Sequence, residues 1–176
     1  FYLFKGKRMN KYFCKLPFND YYEPKFIKII KSPKTQWIKY YNFDAVRVFP
    51  NIITKDPFYE WLYEEHTFTG GILRLPPNTV YNWHKDSMRG VCINHLIDYN
   101  LSDSHCLFRN NDEVAHSFTE LKYIRGARYL FNNQMDHMVV NLSETRYLFT
   151  IEFDEDKTKL SYDQLLNEIK ENYEPI

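Results

Sequence analysis

RYLFNNQMDHMVVNLSETRYLFTIEF, residues 128–153, contains three short runs, Arg128–Phe131, His137–Asn141 and Arg146–Phe153, parted by polar breaks at 132–136 and 142–145. Runs rich in β-branched and aromatic residues, bounded by Asn, Asp and Ser, are strands joined by turns. The same rhythm extends upstream. Ala45–Phe49 alternates and is closed by Pro50, and Gly70-Gly71 ends the region before it resumes. Gly71–Leu75 then leads into the turn Pro76-Pro77-Asn78-Thr79, followed by strands over Val80–Lys85, Gly90–Asp98 and His105–Arg109. A polar loop covers Tyr99–Ser104, a turn falls at Asn110-Asn111-Asp112, and Val114–Ile124 holds one or two further strands. Many short strands with turn signals about every ten residues predict a mainly β sandwich or barrel. A double-stranded β-helix, the jelly roll, fits best, because its narrow interior can hold a metal and a small ligand.

Two helices flank this core. Asp56-Pro57 combines a cap with a proline at the first helical position and predicts a helix to about Glu65. Leu160–Tyr173 places Leu165, Leu166 and Ile169 on one face, with Ser161 and Asp163 near its start. Residues 1–43 carry Lys5, Lys7, Arg8, Lys11 and Lys15 among aromatics, a mixture able to hold single-stranded nucleic acid. Pro17, Pro24 and Pro33 interrupt it and Asp20 and Glu23 dilute it, so an irregular arm packed on the domain is expected.

The 176 residues suit a single domain: a flanking region over 1–70, a jelly-roll core over about 71–153 and a helix over 160–173. The formal net charge is zero and the pI near 7.2, which leaves no basic excess to draw in nucleic acid or an anionic membrane. An acidic ligand must therefore be held by individually placed cations. Cys14, Cys92 and Cys106 form no Cys-x-x-Cys pair and are odd in number, which points to a reducing, cytoplasmic setting. No apolar run approaches the roughly 18 residues a spanning helix needs.

Within this frame, Trp83-His84-Lys85-Asp86 stands out. Residues i and i+2 of a strand share a face, so His84 and Asp86 project to one side. His137 opens a later strand and can complete a set of two imidazoles and one carboxylate. That set, with the opposite positions open, belongs to non-haem Fe(II) oxygenases; a filled structural site would want four protein ligands. Arg146 alternates in phase with Leu148 and Thr150 and so faces inward, where a guanidinium must meet an anion. The anion is either an acidic ligand or a structural partner such as Glu144 or Glu152.

These pieces resemble the aspartyl/asparaginyl β-hydroxylase family of Fe(II)/2-oxoglutarate-dependent dioxygenases. Pro77 to His84-Lys85-Asp86 is similar to the family's metal-binding strand after a proline-containing turn. His95, eleven residues beyond His84, has the spacing of the histidine that helps hold the co-substrate. Phe131-Asn-Asn-Gln-Met-Asp-His137-Met-Val-Val-Asn141, with Arg146 behind it, is similar to the family's Phe-Asp-Asp-x-x-x-His-x-x-x-Asn followed by arginine. The chain departs from the pattern where Asp86 replaces a common glycine, where Ile93 stands at a common arginine, and in a shorter link from His137 to Arg146.

The resemblance implies iron(II) on His84, Asp86 and His137. It also implies 2-oxoglutarate held at its far carboxylate by Arg146, with help from His95 and Arg89, and O2 at the remaining position. The activity implied is hydroxylation of an amino-acid or peptidyl side chain, with 2-oxoglutarate converted to succinate. Asn141 is either a second-layer partner of the histidines or a strand-end asparagine. Trp83 is expected in the core rather than lining an acceptor pocket, Arg74 and Arg128 either pair with an acidic substrate or take solvent-facing strand positions, and Cys92 is expected packed out of phase with His95. His105 and His116 are not expected as ligands, and Glu152 to Asp156 is expected as a solvated loop. The competing readings are another metal-dependent cupin-type enzyme, which needs no clamp such as Arg146, and a non-catalytic jelly-roll module.

Overall fold

A computed structural model describes residues 10–16, 23–97, 103–110, 117–124 and 126–173. Lys5, Lys7, Arg8, Pro17, Asp20, the turn residues Asn111 and Asp112, most of the loop begun by Tyr99, and His116 lie outside the described residues. The strands are β1 (Phe13–Lys15), β2 (Ile38–Tyr40), β3 (Phe43–Val48), β4 (Phe68–Leu75), β5 (Thr79–His84), β6 (Val91–Leu96), β7 (Ser104–Arg109), β8 (Phe118–Leu121), β9 (Arg128–Asn132), β10 (His137–Asn141) and β11 (Arg146–Phe153). The helices are α1 (Glu23–Lys31), α2 (Pro50–Ile53), α3 (Pro57–Glu65) and α4 (Tyr162–Asn172).

Two antiparallel sheets result: β1-β9-β6-β11-β4-β3-β2 and β5-β10-β7-β8. They form the two layers of a jelly roll that does not close into a barrel. Alternation along the central strands divides the interior in two. Ile72, Ile93, Phe149 and Ile151 turn to one face of the large sheet and pack with Phe58, Leu62, Leu165, Leu166 and Ile169 from α3 and α4. Leu75, Cys92 and Phe131 turn to the other face and meet Cys106, Phe108 and Val139 of the small sheet. Every residue of β6 is buried, since this strand is covered on both faces.

The helix signals in the sequence act as expected. The Asp56 side chain accepts from Phe58 N at 2.8 Å, and Ser161 forms a capping box with Gln164. Other expectations are corrected. Gly70-Gly71 lies inside β4 and ends nothing: a Cβ on Gly70 would meet Ile53 Cδ1 at 2.3 Å, so this glycine admits a core side chain. The described part of residues 10–43 is not irregular. β1 pairs with β9, α1 stacks Phe26 on Phe149 at 4.4 Å, and β2 pairs with β3 to extend the large sheet. Pro24, read as an interruption, sits at a helix start, where the missing N–H is harmless, while Pro50 closes β3 as expected and opens α2. Among the described residues no helix is long and apolar enough to cross a membrane.

Candidate metal centre and acid-binding cavity

His84 ends β5 and His137 opens β10, and the two are register partners across the small sheet. Their ring centroids are 4.2 Å apart. The pairing steps from His84 to Tyr81 on β5 while it steps only from His137 to Val139 on β10, so β5 carries a bulge at Asn82-Trp83. A bulge shifts the alternation by one residue. It therefore brings His84 onto the side of Tyr81, whose ring lies 4.2 Å from it. Trp83 instead meets the guanidinium of Arg109, 4.6 Å from its ring centre.

Asp86 lies beyond the end of β5, so strand alternation does not orient it. Its backbone N–H donates to Asn133 O at 3.0 Å, tying it to the turn before His137. The Gln134 side-chain amide donates to Asp86 O at 3.0 Å and to Arg89 O at 2.6 Å. One carboxylate oxygen of Asp86, Oδ2, receives both Asn133 Nδ2 and Arg89 Nη2, the latter at 2.7 Å. The other, Oδ1, faces His84 Nε2 at 3.8 Å.

One potential ligand atom from each of His84, Asp86 and His137 falls within 4.8 Å of the others. The two imidazoles are prepared alike. His84 Nδ1 lies 2.7 Å from Asn82 O and His137 Nδ1 lies 2.8 Å from Met135 O. A carbonyl only accepts, so each Nδ1 carries the proton and each Nε2 keeps its lone pair. Burial, and then the neighbouring His84, pushes the pKa of His137 down to about 4. At neutral pH it is the neutral imidazole that a metal requires. This donor set of two nitrogens and one oxygen suits a divalent transition metal. Burial pushes the thiols of Cys92 and Cys106 up, to about 11 and about 12.

Behind the histidines is a cavity of about 100 Å³ between the sheets, lined by Arg89, Asn94, Tyr123, Arg146 and Thr150 among others. A water needs at least about 10–15 Å³ measured this way, so the space is several times that minimum and suits a small molecule. Arg146 is buried, and among the described residues no acidic side chain pairs with it, neither Glu144 nor Glu152. Its guanidinium carbon lies 5.6 Å from the ring centre of Tyr123. The Tyr123 hydroxyl is buried, and the Asn94 side chain lies beside it. A cation and a hydroxyl, both buried and facing one cavity, have the chemistry to receive a carboxylate. Tyr123 was not legible as a site residue, because its strand context, Val114–Ile124, carries no clear alternation.

The remaining expected site residues lie elsewhere. Strand β6 turns Cys92 and Asn94 to the cavity and His95 to the opposite face, edge-on to Phe26 with centroids 6.2 Å apart. The co-substrate contact expected of His95 does not fit that position, and Asn94 is the polar residue β6 offers. Cys92 is packed and out of phase with His95 as expected, but on the cavity side. Arg89 lines the cavity and ion-pairs with Asp86. Arg74 pairs with Asp44 at 2.8 Å and covers Trp37, and Arg128 is buried against Asp56 at 3.2 Å, contrary to a solvent-facing position. Asn141 donates to the carbonyls of Leu75, Pro76 and Glu144, closing the chain around the end of β10 without touching either histidine. His105 pairs with Glu120 away from the cavity.

No protein-family model and no curated protein sequence matches the chain. Solved structures do match its fold. A Pseudomonas putida prolyl-4-hydroxylase superposes with a TM-score of 0.62 at 11% identity, covering 82% of this chain and 94% of that one. A Trichoplax adhaerens prolyl hydroxylase in complex with a hypoxia-inducible-factor peptide gives 0.61 at 12% identity, covering 87% and 86%. A Streptomyces hygroscopicus protein with nickel and 2-oxoglutarate bound gives 0.58 at 11%, covering 81% and 82%. The chain thus shares its fold with proteins of the 2-oxoglutarate–Fe(II) oxygenase class.

Proposed function

We propose that the protein is an Fe(II)/2-oxoglutarate-dependent dioxygenase that hydroxylates an amino-acid or peptidyl side chain. The observation that carries this reading is the convergence of His84, Asp86 and His137 within 4.8 Å beside the buried Arg146, which has no acidic partner among the described residues. A cupin-type metal enzyme would have no use for a buried guanidinium in a cavity sized for a small acid. A purely structural module would not keep two Nε2 atoms and a carboxylate oxygen converging without a partner. The shared fold with 2-oxoglutarate–Fe(II) oxygenases adds support. The finer affinity, to aspartyl/asparaginyl β-hydroxylases, rests on sequence pattern alone: Pro77 to Asp86, His95, and Phe131 to Arg146.

Iron(II), 2-oxoglutarate and O2 together supply oxidative decarboxylation to succinate and CO2 and insertion of oxygen into a C–H bond. The chain's own groups do the rest. His84, Asp86 and His137 offer one face of ligands and leave the opposite face open. Asn82 O and Met135 O fix the tautomers, and Asn133 and Arg89 fix the carboxylate. Arg146 and Tyr123 receive the far carboxylate of the co-substrate and so set its orientation. The apolar wall of Leu75, Val139 and Leu148 keeps water from the cavity.

The test is spectroscopic. Iron(II) and 2-oxoglutarate are added to the protein without oxygen, and the visible charge-transfer band of the chelate is sought. The band is expected in the native protein, weaker in Arg146→Ala and absent in His137→Ala. Bound iron without any band in the native protein would overturn the reading.

A further inference from the structure

We propose that the acceptor is an extended peptide segment, bound in a second groove that runs over Gly71 to the metal centre. The term acceptor rests on the oxygenase reading above; the peptide site does not. The groove has a volume of about 580 Å³, several times that of the co-substrate cavity, and the two share Phe43, Leu73, Arg89 and Thr150. A free amino acid is about the size of 2-oxoglutarate and would leave most of it unfilled. One wall is the β2–β3 hairpin, with Ile38 59% and Tyr40 48% exposed; the other is the loop after Asp86, with Met88 62% exposed. Apolar side chains left in water on both walls of a cleft mark a binding surface.

Its floor is bare for no reason internal to the fold. Gly71 is paired on both sides, with Arg47 of β3 and Thr150 of β11, in mid-strand. A Cβ there would meet only Val46 O, at an ordinary 3.5 Å. Gly70, by contrast, is needed to admit Ile53. A strand glycine without a packing role marks close approach by a ligand or another backbone. The exposed charges along the groove are opposite: Arg47 lies beside Gly71 on the outer side, and Glu152 on β11 is in register with Thr69. Among the described residues neither forms an ion pair. The groove therefore complements a segment that carries an acidic residue toward Arg47 and a basic one toward Glu152, with an apolar side chain between the walls.

The test is equilibrium selection of short random peptides on the full chain, repeated with Gly71→Val and Arg47→Glu. The native chain is expected to enrich peptides holding both charges. Gly71→Val is expected to bind them about tenfold or more weakly, with a thermal midpoint equal to or above the native one, because valine suits a strand better than glycine. Arg47→Glu is expected to shift selection from acidic to basic residues at one position. No enrichment by the native chain, undiminished binding by Gly71→Val, or complete competition by free amino acids would overturn the proposal. Peptide binding that persists where the iron–2-oxoglutarate band is absent would count against the oxygenase reading and not against the groove.

Discussion

The Asn133 side chain donates to the same oxygen of Asp86 that Arg89 holds, which leaves the other oxygen turned toward His84. Asp86 sits beyond its strand, so these contacts and the backbone bond to Asn133 O replace the missing strand geometry. Outer partners of this kind typically tune metal affinity by about 10–100-fold. Asn133→Ala is therefore expected to weaken iron(II) binding by about that factor while the protein stays folded. Calorimetric titration of the metal-free protein with iron(II) under nitrogen would measure it; equal affinity in both proteins would show that Arg89 alone orients the carboxylate.

Arg146 and Tyr123 should separate stability from binding. A hydrogen bond to a charged group contributes about 1.5–3 kcal/mol, so Arg146→Met is expected to weaken 2-oxoglutarate binding by roughly tenfold to over a hundredfold. The same change removes a buried charge that has no acidic partner among the described residues, so the ligand-free protein should not lose stability and should gain some. Tyr123→Phe removes one hydrogen bond from a neutral donor to the same carboxylate, about 1.5 kcal/mol, and is expected to weaken binding by about tenfold. Titration of the charge-transfer band and thermal unfolding of the ligand-free variants give the two readouts. A strongly destabilised Arg146→Met would identify the arginine as a structural ion.

His66, at the C-terminal end of α3, bridges two carboxylates, Glu155 at 2.7 Å and Glu168 at 2.6 Å. Burial alone would lower its pKa, but the hydrogen bonds it donates to Glu155 and Glu168, with their negative charge, outweigh burial and raise it above the ordinary 6.5. A raised histidine stabilises the fold fully below about pH 6.5, and that contribution is lost as pH rises through the folded-state value. A neutral imidazole has one N–H and can serve only one of the two acids. Urea unfolding at pH 6 and pH 9 should therefore show a native advantage over His66→Gln of roughly 1–2 kcal/mol at the lower pH, shrinking at the higher. A difference independent of pH would rule out the charged bridge.

Two glycines should differ in sensitivity because of what occupies the place of their Cβ. At Gly90 that place is 2.2 Å from the backbone oxygen of Leu160, next to the start of α4. At Gly70 it is 2.3 Å from the tip of the Ile53 side chain, which can rotate. Overpacking in a closed core costs typically about 1–3 kcal/mol. Gly70→Ala is expected within that range, and Gly90→Ala at or beyond its upper end, because backbone cannot yield. Chemical unfolding of the two variants checks the order.

Much of the chemistry was legible in the sequence because it depends on residue type and short spacing. Asp56-Pro57 and Ser161 announce helices by local hydrogen bonds that need no tertiary partner. The runs from β9 to β11 announce strands by composition, and the spacing of His137 and Arg146 puts a nitrogen donor and a guanidinium on facing strands of the two layers. Only the tertiary structure decided which way several side chains turn. A single bulge at Asn82-Trp83 sets the facing of His84, and no periodicity reveals a bulge. Asp86 is aimed by Asn133 and Arg89 from outside the strand, not by the alternation that the His-x-Asp spacing suggested. The phase of β6 turns Asn94 to the cavity and His95 away, and the pairing of distant strands brings Tyr123 beside Arg146. Gly70 and Gly71 are one dipeptide in sequence, yet one admits Ile53 and the other leaves a groove floor open, because adjacent residues of a strand face opposite layers.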